Sequence, residues 1–521
     1  MTAFVDARGL TLSAPLQADV CIVGAGAAGI TIAEQLAARG VAVLLLESGG
    51  ERIDGATQSL YRCVQTGIPY FDMTACRLRY LGGTTNHWGG YCRENDPIDY
   101  LGRPELGVPA WPLRYETLRP YVVQAAQRLG LNMEGFDPQW QLAKRGIDAG
   151  ELLDQRSPLL ESKVFQLTQK RRFRELHSAA LHADPHIRPL LNANVTHVQL
   201  DPSARTVTGL TVRTLNGRQF EVRARRYVLA AHSVENARLL LSSNDVLAAG
   251  IGNQADMVGR HFMEHPRVKS GLLFPSPAFP RVYDAGAMAS TLLNINIGLK
   301  AQTMRERGVL QYYCRFLPVN ADHETIDAIQ ALRQGFWKPA DLKAIEALGT
   351  LVGDVPASLR YLAGRLGAPK PLPVAYELDH RIEQAPNPES RLTLGTERDA
   401  LGMRKLIFNW ALSDLDQHSL AEGQRAIVEE FTRLGLGRFE APPIDMAAVR
   451  DKVQGHYHHI GTARMATAAR DGVVDADCKV HGVDNLFVAG SAVFPTAGYS
   501  GPTMMLLALA LRLSEHLGQQ A

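Results

Sequence analysis

Gly24, Gly26 and Gly29 stand in G-x-G-x-x-G spacing between two apolar runs, and an acid, Glu47, closes the second run. Val20, Ile22 and Val23 precede the glycines as a buried strand would. Ile30, Ala33 and Leu36 follow them at helical spacing, and residues 41–46 are apolar again. The three glycines have three tasks. Gly24 permits a tight turn, Gly26 lets backbone approach a pyrophosphate, and Gly29 lets helix and strand pack closely. The helix N-terminus then faces the phosphates and Glu47 accepts from a ribose hydroxyl. This strand–turn–helix–strand unit is a dinucleotide site. The acid fits the ribose of FAD or NAD and disfavours NADP.

Two further stretches carry chemistry. Residues 77–92 read RLRYLGGTTNHWGGYC. Gly82 and Gly83 remove side chains where a flat ring system would lie, and Thr84, Asn86, His87 and Trp88 are the candidate cofactor contacts beside them. Near the C-terminus, His456, His458 and His459 fall within four residues. A neutral imidazole titrates near working pH and is a natural proton acceptor. In an extended segment His459 points away from His458, so one of the three acts as base. A buried strand over 486–489 then leads to a Gly490-Ser491 turn. Pro502 and Thr503 open a final helix, a position that suits proline.

These residues need elements to hold them. A helix is expected over 118–129, with Leu118, Val122, Ala125 and Leu129 on one side. Strands are expected over 189–200, 206–214, 219–224 and 227–231, with Asn216-Gly217 as a hairpin turn. More strands follow at 268–274, 310–317, 371–378, 390–394 and 406–412. Ser413 or Asp414 caps a helix running to 434. Residues 48–72 show little pattern and read as a lid or extended loop; 135–185 reveal little. A helical stretch over 324–365 packs on the protein's own core or serves as a lid. The last strand and helix return to the first sheet.

With 521 residues the chain can bury two cores. Its 55 basic and 53 acidic residues leave a net charge of +2, which gives no reason to expect nucleic acid or an anionic membrane surface. Six cysteines lie far apart with no C-x-x-C. They read as reduced thiols in a cytoplasmic protein, and no metal site is expected. No secretory signal is visible. The apolar run 504–511 is too short to span a bilayer, so no transmembrane segment is expected.

The motifs GAGAAG with Glu47, RYLGGTTNHWGG, LAAHSVENARLLLSS, VGRHFMEHP, IEQAPNPESRLTL and HHIGTARM…GVVD…NLFVAGSAVFPT, taken in order, resemble the glucose–methanol–choline (GMC) family of FAD-dependent oxidoreductases. The resemblance spans most of the chain. GGTTNHW and FPTAGYSGPT look most like its pyranose oxidase and bacterial sugar dehydrogenase branch. The resemblance implies an α/β protein with a split Rossmann-like FAD-binding domain on a parallel sheet, residues 1–264 and 446–521. It also implies a substrate domain on an antiparallel sheet, 265–445, with a helical insertion near 322–367. The implied cofactor is FAD, with Val195 meeting the adenine and Gly490, Ser491, Pro502 and Thr503 among its contacts. His458 matches the family's catalytic histidine.

His87 resembles a histidine that pyranose oxidase joins covalently to its flavin; contact without a bond is the favoured expectation here. The implied reaction removes a hydride from an alcohol carbon of a sugar, glycoside or other hydroxylated small molecule. Oxygen, a quinone or a protein takes the electrons. Two departures stand out. Gly501 replaces the family's usual histidine or asparagine, so Ser500, Tyr499 or a water supplies the second contact, or a bulky substrate fills the space. Gly490 stands where related flavoproteins often have an acid, and backbone N–H groups could serve there. A non-redox flavoprotein lyase with His458 as base is the alternative reading.

Overall fold

The apolar runs on either side of the glycines lie in the middle of a sheet, buried on both faces. The computed structural model describes residues 4–285, 292–319 and 373–519. Leu16–Val23 pairs in parallel with Val43–Leu46 on one side and with Gln219–Leu229 on the other. Val43–Leu46 pairs onward with Ile187–Leu191, and Leu486–Val488 joins the far edge of Gln219–Leu229. Register aligns Val23 with Leu46 and Leu229, and Leu229 with Val488. Four strands therefore end at one edge, where open parallel sheets bind their ligands. Gly24, Glu47, Ala230 and Gly490 all follow from that edge. The helix Ala27–Ala37 packs on Thr503–Gln519, which packs on Tyr115–Arg128. The end of the chain thus returns to its first sheet.

Two strand expectations change. Gln219–Leu229 is one strand where two were expected. Its start pairs antiparallel with Val207–Arg213 through the Asn216-Gly217 turn, and its end runs parallel to Leu16–Val23. The run 189–200 splits in two at Asn192, whose φ is 57°. The halves, Ile187–Leu191 and Asn194–Leu200, pair with different neighbours.

The second sheet is antiparallel and seven-stranded. Its order is Gly437–Glu440, Arg267–Pro275, Ala375–Ile382, Tyr312–Val319, Leu293–Leu299, Leu160–Leu167, Tyr91–Cys92. Tyr91–Cys92 and Leu160–Leu167, from the segment before residue 264, form this sheet's edge. Residues 48–72 are not a patternless lid. They hold the helix Gly55–Ser59 and the strand Val64–Gly67, which pairs with Arg404–Trp410 in a three-stranded sheet. Ser413 caps Asp414–Arg433 in a capping box with Asp416. The expected helical insertion at 322–367 and its lid reading lie outside the described residues. The fold is α/β, with a parallel sheet and a separate antiparallel one. Among the described residues no helix is long and apolar enough to cross a membrane.

Candidate functional site

A cavity of about 590 Å³ opens where the parallel strands end, and the antiparallel sheet forms its opposite wall. The glycine turn shapes one end. Gly24 has φ +106°, and a Cβ there would lie 2.5 Å from the Ala230 carbonyl. A Cβ on Gly29 would lie 1.9 Å from the Gly24 carbonyl, so this glycine sits beneath the turn and sets helix-to-strand packing rather than lining the cavity. Gly26 is the opposite case. A Cβ there would meet no protein atom within 4 Å, and Gly26 lines the cavity. No side chain caps the helix that starts beside it. Uncapped N–H groups behind a glycine that leaves space fit a pyrophosphate.

Glu47 is buried and lines the cavity. Its Oε2 accepts from Ala25 N and its Oε1 from Gly49 N, both at 2.9 Å. Burial pushes its carboxyl above the ordinary range, although these N–H groups oppose the shift. The loop after residue 80 crosses the turn. Gly82 N donates to Ala25 O at 2.8 Å, and a Gly83 Cβ would lie 3.3 Å from Gly26 Cα. Gly83, Thr84, His87 and Trp88 line the cavity. Trp88 is held by its indole N–H, which donates to Arg171 O at 2.7 Å. Asn86 does not reach the cavity. Its amide donates to Leu81 O at 2.8 Å and accepts from Arg174 N at 3.0 Å, so it ties the loop down. Val195, Gly490, Ser491, Pro502 and Thr503 complete this lining. A Cβ on Gly490 would again meet nothing within 4 Å, which leaves its backbone open to the cavity.

The histidines stand at the other end. Glu264 is fully buried and holds their backbone: Oε1 accepts from His458 N at 2.9 Å, and Oε2 from His456 N at 2.9 Å and His265 N at 2.7 Å. Tyr70 OH donates to the same carboxylate. Burial raises the Glu264 pKa to about 7. His459 is engaged at both ring nitrogens, with His232 at 3.0 Å and Tyr70 OH at 2.8 Å.

His458 Nδ1 lies 2.7 Å from His265 Nδ1, and His265 Nε2 lies 2.9 Å from Gly498 O. A carbonyl can only accept, so a neutral His265 carries its proton on Nε2 and accepts at Nδ1. His458 must then donate from Nδ1, which leaves a lone pair on Nε2. Burial lowers the His265 pKa to about 4. Burial, then the charges His265 and His456 would carry, hold His458 well below 6.5. Both are neutral at pH 7.

Gly501 faces this nitrogen. A Cβ there would lie 3.6 Å from His458 Nε2 and 3.5 Å from Tyr91 O, so the glycine leaves space beside this imidazole. Ser500 does not replace the missing side chain. It is buried outside the cavity, and its hydroxyl donates to Arg93 O at 3.2 Å. Tyr499 lines the cavity with its ring, but its hydroxyl accepts from Arg93 and donates to Asp96 at 3.1 Å.

Sequence reasoning missed the wall opposite. Phe165, Asn294, Asn296, Tyr313, Arg315 and Arg381 line the cavity from four strands of the antiparallel sheet. The available signal was polar residues at alternate positions, as in LNINIGL, inside strands otherwise too apolar to face water.

The dinucleotide cradle opens onto a half-buried neutral imidazole. Residues 19–240 match the FAD dependent oxidoreductase family model, and 386–510 match the GMC oxidoreductase model. The fructose dehydrogenase large subunit of Gluconobacter japonicus is 23% identical, covering 96% of this chain and 97% of its own. The 6'''-hydroxyparomomycin C oxidase of Streptomyces lividus is 24% identical over 95% and 90%. Among solved structures, pyridoxine 4-oxidase from Mesorbium loti superposes with a TM-score of 0.58 at 19% identity, covering 96% of this chain and 99% of that one. This last likeness concerns the fold. The chain carries an FAD dependent oxidoreductase domain and a GMC oxidoreductase domain, and its cofactor is FAD.

Proposed function

We propose that this enzyme oxidises a CH–OH group of a small hydroxylated molecule, with His458 Nε2 taking the hydroxyl proton. The observation that carries the reading is the fixed tautomer of His458 beside the space at Gly501. FAD, when bound, supplies the hydride acceptor. Gly26 and the first turn of Ala27–Ala37 hold the pyrophosphate, Glu47 the ribose, and Val195 the adenine. Gly83, Thr84, His87, Trp88, Gly490, Ser491, Pro502 and Thr503 surround the rest of the cofactor. Gly24 and Gly29 shape the turn, and Asn86 anchors the loop.

His458 gains a proton on Nε2 while its Nδ1–H stays on His265, so no hydrogen bond has to be exchanged. Glu264 holds the segment bearing the base through backbone N–H groups. Phe165, Tyr313 and Tyr499 shield the site from water. Gly501 accommodates the substrate where a second polar side chain would otherwise stand. Relatives named for fructose and for an aminoglycoside support a sugar-like or polyol substrate. Relatives named as oxidases and dehydrogenases give the lyase alternative no support. The six free cysteines support a reducing, cytoplasmic setting.

Anaerobic mixing of the yellow holoenzyme with a panel of sugars, polyols and hydroxy acids tests this reading. Bleaching of the flavin by at least one alcohol is expected. Turnover of a substrate without any bleaching would overturn it.

A further inference from the structure

The wall facing His458 carries an imbalance of charge. Arg315, on Tyr312–Val319, and Arg381, on Ala375–Ile382, both line the cavity. Register places Arg315 opposite Asp379 and Tyr313 opposite Arg381. Asp379 is already taken: Arg381 reaches it at 2.8 Å and Arg267 at 2.6 Å. Arg381 also donates to Tyr313 OH at 3.1 Å. Arg315 has no carboxylate within ion-pair distance among the described residues. Its Nε and Nη2 donate to the Asn294 amide oxygen, each at 3.1 Å, once that amide is oriented to satisfy both groups. Two guanidinium groups thus share one carboxylate, and the third, Arg315, has none within ion-pair distance among the described residues.

Acids elsewhere in the lining do not correct this. Among the described residues the cavity's only lining carboxylates are Glu47 and Glu235, and both stand at the glycine-turn end. Glu47 holds backbone N–H groups, and Glu235 binds Arg77 and Arg79 at 3.0 Å each. A largely buried guanidinium without a counter-charge is costly, and an anion that fits the fork removes that cost.

We infer that the substrate is an alcohol bearing a carboxylate or phosphate group, whose anionic oxygens bind Arg315 and Arg381 while its hydroxyl faces His458. This rests on the oxidoreductase reading above and narrows it from hydroxylated molecules to hydroxylated anions. Asn294 and Asn296 add amide groups beside the two arginines. The anion sits on the rigid sheet, and the reacting carbon lies across the cavity near Gly501.

Titrating the holoenzyme with acetate, with phosphate and with neutral acetamide at constant ionic strength tests the inference, read as a change in the visible flavin spectrum. Saturable binding of acetate or phosphate is expected, with none for acetamide. Acetate alone identifies a carboxylate pocket, and phosphate alone a phosphate pocket. Arg315→Gln should weaken the anion by roughly tenfold or more with its flavin content intact, and Arg315→Lys by less. No saturable response to either anion, or the same affinity in both Arg315 variants as in the parent, would overturn the inference. The two readings fail separately. Bleaching by neutral alcohols without anion binding sinks this one alone. Anion binding through Arg315 without bleaching by any alcohol sinks the oxidoreductase reading alone.

Discussion

His265 and His458 meet through their Nδ1 atoms at 2.7 Å, and the far nitrogen of His265 is tied to the Gly498 carbonyl at 2.9 Å. The carbonyl sets the direction of the whole row. It makes His265 an acceptor toward His458, makes His458 a donor at Nδ1, and leaves Nε2 as the one basic position of that ring. The same carboxylate, Glu264, accepts from the backbone of both residues. The proposed base, His458, is therefore fixed in tautomer by a side chain and in place through its main-chain N–H.

Removing the base and removing its partner have different signatures. His458→Ala should keep flavin and fold but slow flavin reduction by roughly 100- to 10,000-fold. His265→Phe should cost less, about 10- to 100-fold, because the base remains and only its tautomer is released. The pH profile separates positioning from mere packing. His458 is active when neutral, so activity falls as pH drops through its pKa. The charge that a protonated His265 would carry helps hold that pKa down. His265→Phe should therefore move the acid limb of the reduction rate to higher pH. Stopped-flow reduction from about pH 4 to 8 reads this, and an acid limb that stays in place would show that His265 acts only by filling space.

Gly26 and Gly29, three residues apart in the same turn, should fail in opposite ways. A Cβ on Gly26 meets no protein atom, and its φ of −85° suits any residue. Gly26→Val should fold with the melting temperature of the FAD-free parent yet purify without yellow colour. A Cβ on Gly29 would strike the Gly24 carbonyl at 1.9 Å. Gly29→Ala should destabilise the protein by about 1–3 kcal/mol or more, as overpacking does. Absorbance of bound flavin together with thermal unfolding checks both; a fully yellow Gly26→Val would remove Gly26 from the pyrophosphate.

The contrast between these glycines shows which parts of the site were legible in the sequence. The glycine turn, Glu47 and the histidine segment were readable because backbone geometry demands those residue types at short spacing. Arg315 and Arg381 were not, because only the register of Tyr312–Val319 on Ala375–Ile382 brings them together. Ser500 and Asn86 sat in the right motifs, but loop side chains have no periodicity that tells which way they point. Val64–Gly67 looked patternless because its partner, Arg404–Trp410, lies far along the chain and the strand itself is exposed. Local requirements survive in sequence; sheet assembly does not.

Gly501→Asn tests what the open space is for. The added Cβ fits, at 3.5 Å from Tyr91 O and 3.6 Å from His458 Nε2, so the variant should fold and hold FAD. The amide would then occupy the position proposed for the reacting carbon. The expected outcome is a lower kcat/KM on the best substrate, by about tenfold or more, as a group misplaced by an ångström costs in near-attack geometry. Steady-state kinetics on the substrate found by flavin bleaching decides it. A rise in kcat/KM would mean that the site lacks a second polar partner and that asparagine restores it.

His87 is the residue through which a covalent flavin link would run. It lines the cavity on the loop that crosses the glycine turn, and its side chain is exposed. A covalent bond would need an imidazole nitrogen to attack an activated methyl carbon at the flavin edge, with the ring in contact distance. Neighbouring Gly82 and Gly83, with φ of +87° and +55°, let the backbone bring the loop close to Gly26. The loop itself is held by Trp88 on Arg171 O and by Asn86 on Leu81 O and Arg174 N, so its position does not depend on a flavin bond. We therefore expect contact without linkage. Acid precipitation should leave the yellow colour in the supernatant, and His87→Ala should still bind FAD, more weakly. Colour that stays in the pellet of the parent protein and leaves it in His87→Ala would establish a covalent bond through this residue instead.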